Sequence, residues 1–304
     1  MKIATYNVRN LYDPGTFIDE TKQDAVNEDF FNKRIDYFTN IFKEKDLDII
    51  CLQEIGGEKG IRIIAENLDY EYFSAKPNKR GIRMAMLYKK SLKDNIVCES
   101  VSLGDLVIPG MQEKGDTDGL KPISQRRDVL VIDTTYCGKK LRVITFHLKS
   151  LLPTYLLGDD VENDKRAHTD AKFRSIFYKM MELRGLREYT NKSLEEGREV
   201  ILAGDFNEDN NSSIIDILKS ANKDKDNERL YDVLVGYNKD KRTHMYRGNP
   251  LTFDTMVVSS QIKENIDSVT VFNEDLKDYS GLAWGEVEHV IESDHAMVVM
   301  EIKG

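Results

Sequence analysis

The sequence predicts a layered α/β fold, on the evidence of its apolar runs, its helical patterns and its continuity. Short apolar runs rich in β-branched residues recur through the 304 residues, and four longer segments carry apolar residues at three- and four-residue spacing. Strands that pair around a core with helices outside them give a layered architecture. We find no repeat, low-complexity tract or Pro/Gly/Ser-rich linker, so we predict a single domain over residues 1–304.

Nine segments are predicted to be strands because they are short, apolar and β-branched. They are residues 2–8, 48–52, 83–88, 129–135, 141–147, 200–203, 253–258, 268–272 and 296–302. The helical patterns cover residues 27–44, 61–68, 165–189 and 212–221. Long polar connections are typical of functional loops, and we expect substrate-facing surface at residues 12–24, 104–125, 151–164 and 275–292.

Composition excludes two classes of protein. No apolar run approaches the ~20 residues that a membrane-spanning helix needs, so we predict no membrane partner. A formal net charge of −9 argues against a protein that coats nucleic acid by bulk electrostatics, because that binding depends on Lys and Arg. A local basic rim around an acidic metal site is still compatible with a nuclease.

The chain start and the cysteines point to a reducing compartment. Residues 1–6 enter strand-like alternation without the apolar region of a signal peptide, which predicts a cytoplasmic location. Cys51, Cys98 and Cys137 are far apart and form no paired motif, so we expect reduced thiols in or near the core, without chemistry. The oligomeric state is left open.

Polar side chains fall at or just beyond the ends of the predicted strands. Each alone is more often a turn former or a helix cap, because Asp and Asn bond their own backbone there. As a set they predict a site at the rim of a sheet. The set is Asn7, Glu54, His147, Asp205, Asn207, Asp254, Asp294 and His295.

Five short motifs in order carry a resemblance to a known superfamily. They are TYNVR (5–9), LQE (52–54), TFHLKS (145–150), GDFN (204–207) and SDH (293–295). Each lies at an end of a predicted strand, and together they resemble the endonuclease/exonuclease/phosphatase superfamily, whose members include deoxyribonuclease I and exonuclease III. The resemblance implies a four-layered αββα sandwich, as in deoxyribonuclease I, with the site at one end.

The resemblance also implies a metal site. Glu54 matches the family's metal-binding glutamate, Asn7 the asparagine beside it, and Asp294 the acidic neighbour of the last histidine. Oxygen ligands suit a hard ion, so the expected cofactor is Mg²⁺ or Mn²⁺. The alternative for Glu54 is a cap for the following glycines.

Five residues match the catalytic positions. Asp205 would orient or deprotonate water and Asn207 would donate to a phosphoryl oxygen, with both side chains on one side of an extended segment; an Asx-turn is the alternative. His295 pairs with Asp254, which fixes its tautomer. Asp254 is the least regular match, because Phe253 and Thr255 flank it. His147 would face the scissile phosphate or the leaving oxygen, whereas His168, His244 and His289 carry no motif, and we expect them on the surface or in loops.

Basic residues near these motifs are the predicted substrate contacts. Arg9 would point to the same side as Asn7 if the strand continues, and an arginine there resembles the deoxyribonuclease I branch. A guanidinium suits bidentate phosphate binding, although a surface ion pair is the alternative for each arginine. The candidates are Arg9, Lys79, Arg80, Arg126 and Arg174, with Lys76, Arg83, Lys89, Lys90 and Lys149 nearby in sequence.

The substrate is left among three interpretations. We favour a Mg²⁺-dependent nuclease that cleaves DNA or RNA by attack of an activated water, because Arg9 and the basic cluster over residues 76–90 suit a polyanion. The second interpretation is a phosphatase or phosphodiesterase for a small phosphorylated metabolite or a lipid head group. A catalytically silent binding module is the third, and the presence of all eight site residues argues against it.

Overall fold

The computed structural model describes residues 1–16, 26–78, 80–103, 105–107, 122–124, 128–156, 159, 164–219, 228–237, 239–282 and 290–303. Within these ranges the chain forms two six-stranded sheets and two small two-stranded sheets. The strands, in chain order, are β1 (Lys2–Leu11), β2 (Ile49–Ile55), β3 (Tyr70–Ser74), β4 (Arg83–Lys89), β5 (Val97–Val101), β6 (Asp105–Val107), β7 (Pro122–Ser124), β8 (Val129–Tyr136), β9 (Lys139–His147), β10 (Glu199–Asp205), β11 (Leu230–Asp232), β12 (His244–Tyr246), β13 (Asn249–Leu251), β14 (Asp254–Ser259), β15 (Ile266–Phe272) and β16 (Met297–Ile302). The helices are α1 (Glu28–Lys45), α2 (Glu58–Leu68), α3 (Lys165–Glu195), α4 (Asp216–Lys219) and α5 (Ser260–Glu264), and a 3₁₀ turn covers Lys90–Asn95.

The two large sheets are built on the same plan. The first has the order β15-β16-β1-β2-β4-β3 and the second the order β11-β14-β10-β9-β8-β5. In each sheet the central pair is parallel, β1 with β2 and β9 with β10, and the other pairs are antiparallel. A parallel pair needs a crossover, and helices α1 and α3 supply the two crossovers.

The core between the sheets follows from period-two alternation. Ile3, Ile49 and Cys51 leave one face of the first sheet and pack against residues of the second sheet such as Val143 and Ile201. Every one of these side chains is fully buried. The residues that alternate with them along β1 and β2, such as Ala4 and Ile50, point to the opposite face of the first sheet, where a second cluster of buried side chains lies.

Helices cover the outer face of each sheet. Fully buried Phe38 and Phe42 of α1 pack on the first sheet, where Tyr6 meets the Phe38 ring edge-on at a centroid distance of 5.7 Å. Leu183 and Leu186 of α3 pack on the second sheet. The order helix, sheet, sheet, helix is the predicted four-layered αββα sandwich, which is confirmed. The single-domain assignment stays a prediction.

Helix α1 begins and ends where its sequence specifies. The Asn27 side chain accepts a hydrogen bond from the Phe30 amide at 2.8 Å and so caps the first turn. Acidic residues lie in the first turn and basic residues in the last, which suits the helix dipole. The helix ends at Asp46, whose backbone is left-handed.

Several predicted elements differ from the structure. The edge strands β3, β5 and β11 were not predicted, because short edge strands carry little periodic signal. Within residues 212–219 of the helix predicted over residues 212–221, only the four residues of α4 are helical, and residues 220 and 221 lie outside the described residues. Cys51 is buried as expected, but Cys137 is exposed in the turn between β8 and β9, so the core assignment is wrong there. In the described part of the chain, no helix combines the length and the apolar character that crossing a bilayer requires.

Gly204 gives a test of the close approach between β9 and β10. A Cβ at this position would lie 2.2 Å from the backbone oxygen of Phe146, its register partner in the parallel pair. We expect Gly204→Ala to lower the free energy of unfolding by roughly 1–3 kcal/mol or more, because the strands must separate. Gly281→Ala is the matched control, since nothing lies within 4 Å of its added Cβ. Equal urea midpoints for the two variants would contradict this packing.

Candidate active site

Strand ends from both large sheets meet at one rim of the sandwich. The carboxyl ends of β1, β2, β9 and β10 lie beside the amino ends of the antiparallel strands β14 and β16. The structure brings together at this rim the eight polar residues predicted from the strand ends: Asn7, Glu54, His147, Asp205, Asn207, Asp254, Asp294 and His295. Their individual roles remain predictions.

A buried histidine–carboxylate pair lies at the centre of the rim. His295 Nδ1 is 2.7 Å from Asp254 Oδ2, and the two side chains are 8% and 0% exposed. Burial lowers the pKa of His295, but the charges of Asp254 and Asp205 and the hydrogen bond to Asp254 outweigh it, so the pKa lies well above the usual value. Burial raises the pKa of Asp254, against the opposing effect of His295. The pair is therefore arranged to hold an imidazolium next to carboxylates.

The second carboxylate at the rim belongs to Asp205, and two asparagines donate hydrogen bonds to it. Asn7 Nδ2 donates to Asp205 Oδ2 at 3.0 Å, and the Asn207 amide N–H donates to Oδ1 at 2.6 Å. Burial, followed by the charge of Asp254, raises the pKa of Asp205 to about 6. A carboxylate with such a pKa is suited to accept a proton near neutrality.

The prediction assumed an extended segment from Asp205 to Asn207, and the structure shows a turn there instead. Asn207 has a left-handed backbone, with φ of 48°, two residues after the end of β10. Its side chain still reaches Asp205, with Nδ2 3.2 Å from Oδ2, and it also donates to the Leu148 carbonyl at 3.1 Å. The Asx-turn was the alternative to a catalytic role, and the geometry combines the turn with a place in the site.

His147 ends β9 and faces two carboxylates. Its Nε2 is 3.4 Å from Asp205 Oδ2 and 3.8 Å from Glu54 Oε1. Asp205 pairs in register with both His147 and Asp254, which explains why the three side chains share one part of the rim.

Glu54 and Asp294 supply the remaining negative charge. Glu54 has φ of 64°, and its Oε2 accepts a hydrogen bond from the Asn10 amide at 3.0 Å. Burial and then the charge of Asp294 raise the pKa of Glu54. Arg9 Nε lies 3.9 Å from Asp294 Oδ2, and the Arg9 guanidinium is 5.0 Å from the centre of the Tyr279 ring.

The donor set of the rim fits a divalent cation. Four carboxylates converge there, and repulsion between Glu54 and Asp294 is one cause of the raised pKa of Glu54. One buried carboxylate oxygen, Asp254 Oδ1, has no hydrogen-bond partner in the described part of the chain. Two groups of three side chains there lie close enough to hold an ion, Asp205 with Asp254 and His295, and His244 with Asp294 and His295. Glu54 belongs to neither group.

Strand β1 does not continue regularly to Arg9. Arg9 and Asn10 both have left-handed backbones, with φ of 49° and 48°, and the register with β2 shifts after Asn7. The condition under which we expected Arg9 and Asn7 to point to the same side, a regular continuation of the strand, is therefore not met. Arg34 of α1 stabilises this turn, since its guanidinium donates to the carbonyls of Val8 and Asn10.

Four of the left-handed residues other than glycine lie at this rim: Arg9, Asn10, Glu54 and Asn207. Each costs backbone energy for a residue with a side chain, and such strain concentrates at functional sites. Sequence alternation could not reveal these turns.

The predicted substrate contacts are dispersed. Arg80 lines a cavity of about 300 Å³ together with Glu54, Asp294 and His295. Arg174 instead donates to the Thr154 carbonyl at 2.9 Å and pairs with Asp159 at 2.5 Å, so its guanidinium is engaged within the chain. Lys79 and Arg126 lie outside the described residues.

The basic cluster over residues 76–90 is not one surface. Arg83 is at the rim end of β4 and pairs with Glu58 at 2.6 Å, whereas Lys89 is at the other end of the strand and pairs with Asp46 and Asp48. Lys90 pairs with Asp69. At ~3.3 Å per residue, Lys89 lies roughly 20 Å from Arg83.

Helix α3 presents a buried polar stripe to the rim, which the sequence analysis missed. Lys179 is fully buried, and its Nζ donates to the Asn207 carbonyl at 2.6 Å and to Glu208 at 2.7 Å. Burial lowers the pKa of Lys179, against the opposing effect of Glu208. Three residues further along the helix, Glu182 accepts the Lys149 amide at 2.6 Å. One helix face therefore holds the loops that follow β9 and β10.

His244 is also part of the rim, although we expected it on the surface or in a loop. It forms an isolated β-bridge with His295, and the two ring centroids are 4.6 Å apart. The other neighbour of the ring is Phe253, stacked at 5.1 Å and 16°. Burial and then the charge of His295 lower the pKa of His244. It directly follows buried Thr243, whose hydroxyl oxygen accepts a hydrogen bond from the Asp254 amide, and no motif in the sequence marks this position.

A sequence model of the Endonuclease/Exonuclease/phosphatase family matches residues 4–262. The chain belongs to this family. Members of the family are metal-dependent phosphoesterases. A search of curated protein sequences gave no match.

Solved structures of the family share the fold. TDP2 from D. rerio, complexed with a single strand DNA product, is 15% identical with a TM-score of 0.59, and the match covers 100% of this chain and 99% of that one. A family protein from Leptotrichia buccalis is 16% identical with a TM-score of 0.57 over 100% of both chains. The catalytic domain of human Nocturnin, with a bound sulfate anion, is 13% identical with a TM-score of 0.55 over 100% of this chain and 94% of that chain.

The α3 stripe gives a testable prediction about phosphoester hydrolysis by this family member. Lys179→Met removes both bonds to the loop after β10 and leaves an aliphatic side chain in the same space. We expect kcat to fall about tenfold or more with little change in KM, because small displacements of a catalytic group have large effects on rate. Lys172→Met, on the exposed face of α3, is the control. Kinetics well below the unfolding midpoint separate positioning from stability, and equal kcat for the two variants would contradict the role.

Proposed function

We propose that this chain is a Mg²⁺- or Mn²⁺-dependent phosphodiesterase that cleaves nucleic acid by attack of an activated water. The observation that carries the proposal is the convergence of Asn7, Glu54, His147, Asp205, Asn207, Asp254, Asp294 and His295 at one rim. Asn7, Glu54 and Asp294 are the proposed metal ligands, and oxygen donors of this kind suit either ion. The bound ion would neutralise charge that develops on the phosphate.

The residues of the chain divide the remaining chemistry. Asp205, whose pKa is raised to about 6, accepts a proton from the attacking water. The His295 imidazolium donates a hydrogen bond to a phosphoryl oxygen, and Asn207 donates another in exchange for its 3.2 Å bond to Asp205; both stabilise developing charge. Asp254 fixes the orientation of His295 through the 2.7 Å contact to Nδ1. His147 faces the leaving oxygen.

A nucleic acid is the proposed substrate because of what surrounds the rim. Arg80 lines the cavity beside Glu54, and Arg9 lies at the same wall, so cations flank the acidic centre. Lys79 and Arg126 are proposed to extend this surface. D. rerio TDP2, which shares the fold, has been crystallised with a single strand DNA product.

A second candidate is a phosphatase or phosphodiesterase for a small phosphorylated metabolite or a lipid head group. The cavity favours it, because about 300 Å³ is the lower end of the range for small-molecule sites and apolar Val26, Phe30 and Phe31 form part of the lining. The two candidates share the metal site and differ only in what lies outside it.

The metal requirement is the first prediction about this function. EDTA should abolish hydrolysis, and Mg²⁺ or Mn²⁺ should restore it, because the proposed ligands are oxygens. Glu54→Gln should raise the Mg²⁺ concentration for half-maximal activity sharply, whereas Glu66→Gln on the exposed side of α2 should not. Full activity in EDTA would exclude the proposed mechanism.

The second prediction separates chemistry from binding. His295→Ala and the isosteric Asp205→Asn should each lower kcat by several orders of magnitude with little change in substrate affinity, because both groups act mainly in the transition state. Single-turnover rates and equilibrium binding of uncleaved substrate measure the two quantities. Turnover close to the unmodified enzyme would remove that residue from the mechanism.

The third prediction concerns the substrate. Replacement of Lys79 and Arg80 by Ala should weaken binding to all sequences alike. The slope of log K against log salt concentration should become less steep, by about 0.9 per lost phosphate contact on duplex DNA and about 0.7 on single strands. The control pair is Lys89 and Lys90, which lie away from the rim. The enzyme is assayed on supercoiled DNA, single-stranded DNA, RNA and small phosphomono- and diesters. Efficient cleavage of simple monoesters with intact plasmid and RNA would favour the phosphatase instead.

A further inference from the structure

His244 is held rigidly against the proposed catalytic histidine, yet the proposed reaction gives it no role. Its ring lies between His295, at a centroid distance of 4.6 Å, and Phe253, at 5.1 Å. The isolated β-bridge between the two histidines also fixes their backbones relative to each other. The position of this second imidazole is therefore set from both sides.

Hydrogen bonds determine which nitrogen of each ring faces the rim. His244 Nδ1 is 2.9 Å from the backbone oxygen of Asp294, and a carbonyl oxygen can only accept, so Nδ1 carries the hydrogen and Nε2 the lone pair. His295 Nδ1 is engaged in the same way by the Asp254 carboxylate. Among the described residues, neither Nε2 atom makes a hydrogen bond.

This arrangement is the one that metal-binding histidines show. An imidazole that ligates a metal through one nitrogen almost always donates its other N–H to a carboxylate or a backbone carbonyl. His295 has the carboxylate partner and His244 the carbonyl partner. Both rings are thus oriented as ligands before any ion binds.

A carboxylate completes a set of three ligands. One ligand atom from each of His244, Asp294 and His295 lies within 4.8 Å of the others. Around a tetrahedral Zn²⁺ with bonds of about 2.0–2.2 Å, ligand atoms are about 3.4 Å apart, so the gap to close is at most about 1.4 Å. The Asp294 side chain is 25% exposed, so rotation of its carboxylate can close much of this gap.

We propose that His244, Asp294 and His295 form a site for Zn²⁺ or a similar transition-metal ion, and that its occupation inhibits hydrolysis. Two imidazoles favour such an ion over Mg²⁺, which prefers oxygen ligands. Binding releases the proton of His295 Nε2 to solvent, because only the neutral nitrogen ligates a metal. The ion then occupies the atom that donates to the phosphate in the proposed reaction. Inhibition therefore rests on the proposed function, whereas binding of the ion does not.

Calorimetric titration of ZnCl₂ into protein that has been stripped of transition metals and then saturated with Mg²⁺ tests the binding. His244→Phe keeps an aromatic ring between its two neighbours and removes Nε2. His168→Phe, at an exposed position of α3, is the matched control. We expect one Zn²⁺ to bind per chain. The affinity should be at least about tenfold lower in His244→Phe and unchanged in His168→Phe, because even the loss of a residue that only hydrogen-bonds a metal ligand lowers metal affinity about tenfold. Absence of Zn²⁺ binding, or equal affinity in both variants, would overturn the site.

NMR spectroscopy of the unmodified chain tests the same site without any substitution, so its result does not depend on whether His244→Phe folds. The chain has five histidines, and Co²⁺ should displace the imidazole proton resonances of His244 and His295 together. Displacement of neither would also overturn the site.

Inhibition is measured as the Zn²⁺ concentration that halves the Mg²⁺-supported activity of each variant. This concentration should be higher for His244→Phe than for the unmodified enzyme, because the variant lacks one ligand. If Zn²⁺ binds at His244 but no substrate is hydrolysed, the proposed function is rejected and the proposed Zn²⁺ site is retained. Hydrolysis that Zn²⁺ does not inhibit through His244 would reject the inhibitory role alone.

Discussion

The parallel pairing at the centre of each sheet is the constraint on which the site depends. Because β1 runs parallel to β2 and β9 to β10, four carboxyl ends arrive at one rim. The antiparallel neighbours β14 and β16 then begin where those strands end. Asn7 and His295, distant in sequence, become neighbours because β16 begins beside the carboxyl end of β1.

The two crossover helices do more than connect the parallel strands. Each contributes one buried cation that binds backbone carbonyls of the rim: Arg34 from α1 at Val8 and Asn10, and Lys179 from α3 at Asn207. Burial lowers the pKa of both groups, that of Arg34 to about 10. Desolvating a cation is unfavourable unless it is well paired, and here the hydrogen bonds are made to the left-handed turns that place the site residues.

The sequence was sufficient to predict the αββα fold class and the eight rim residues, because strand ends and short motifs are local signals. It could not predict the turns at Arg9, Asn10, Glu54 and Asn207, since residues other than glycine seldom adopt φ near 50–60° and nothing in their spacing marks it. His244 was misjudged because its role comes from a β-bridge to a residue 51 positions away in sequence. The basic cluster was misjudged because residues close in sequence along a strand separate quickly in space.

The shared anchoring of two loops by α3 bears on how the rim moves. Lys179 and Glu182 are less than one helical turn apart, and they hold the loops after β10 and β9 respectively. A fluctuation that frees one loop by displacing this turn also frees the other, so the two open as one cooperative unit rather than as independent flaps. Amide hydrogens of both loops should then exchange with solvent at a common rate, governed by the helix rather than by either loop.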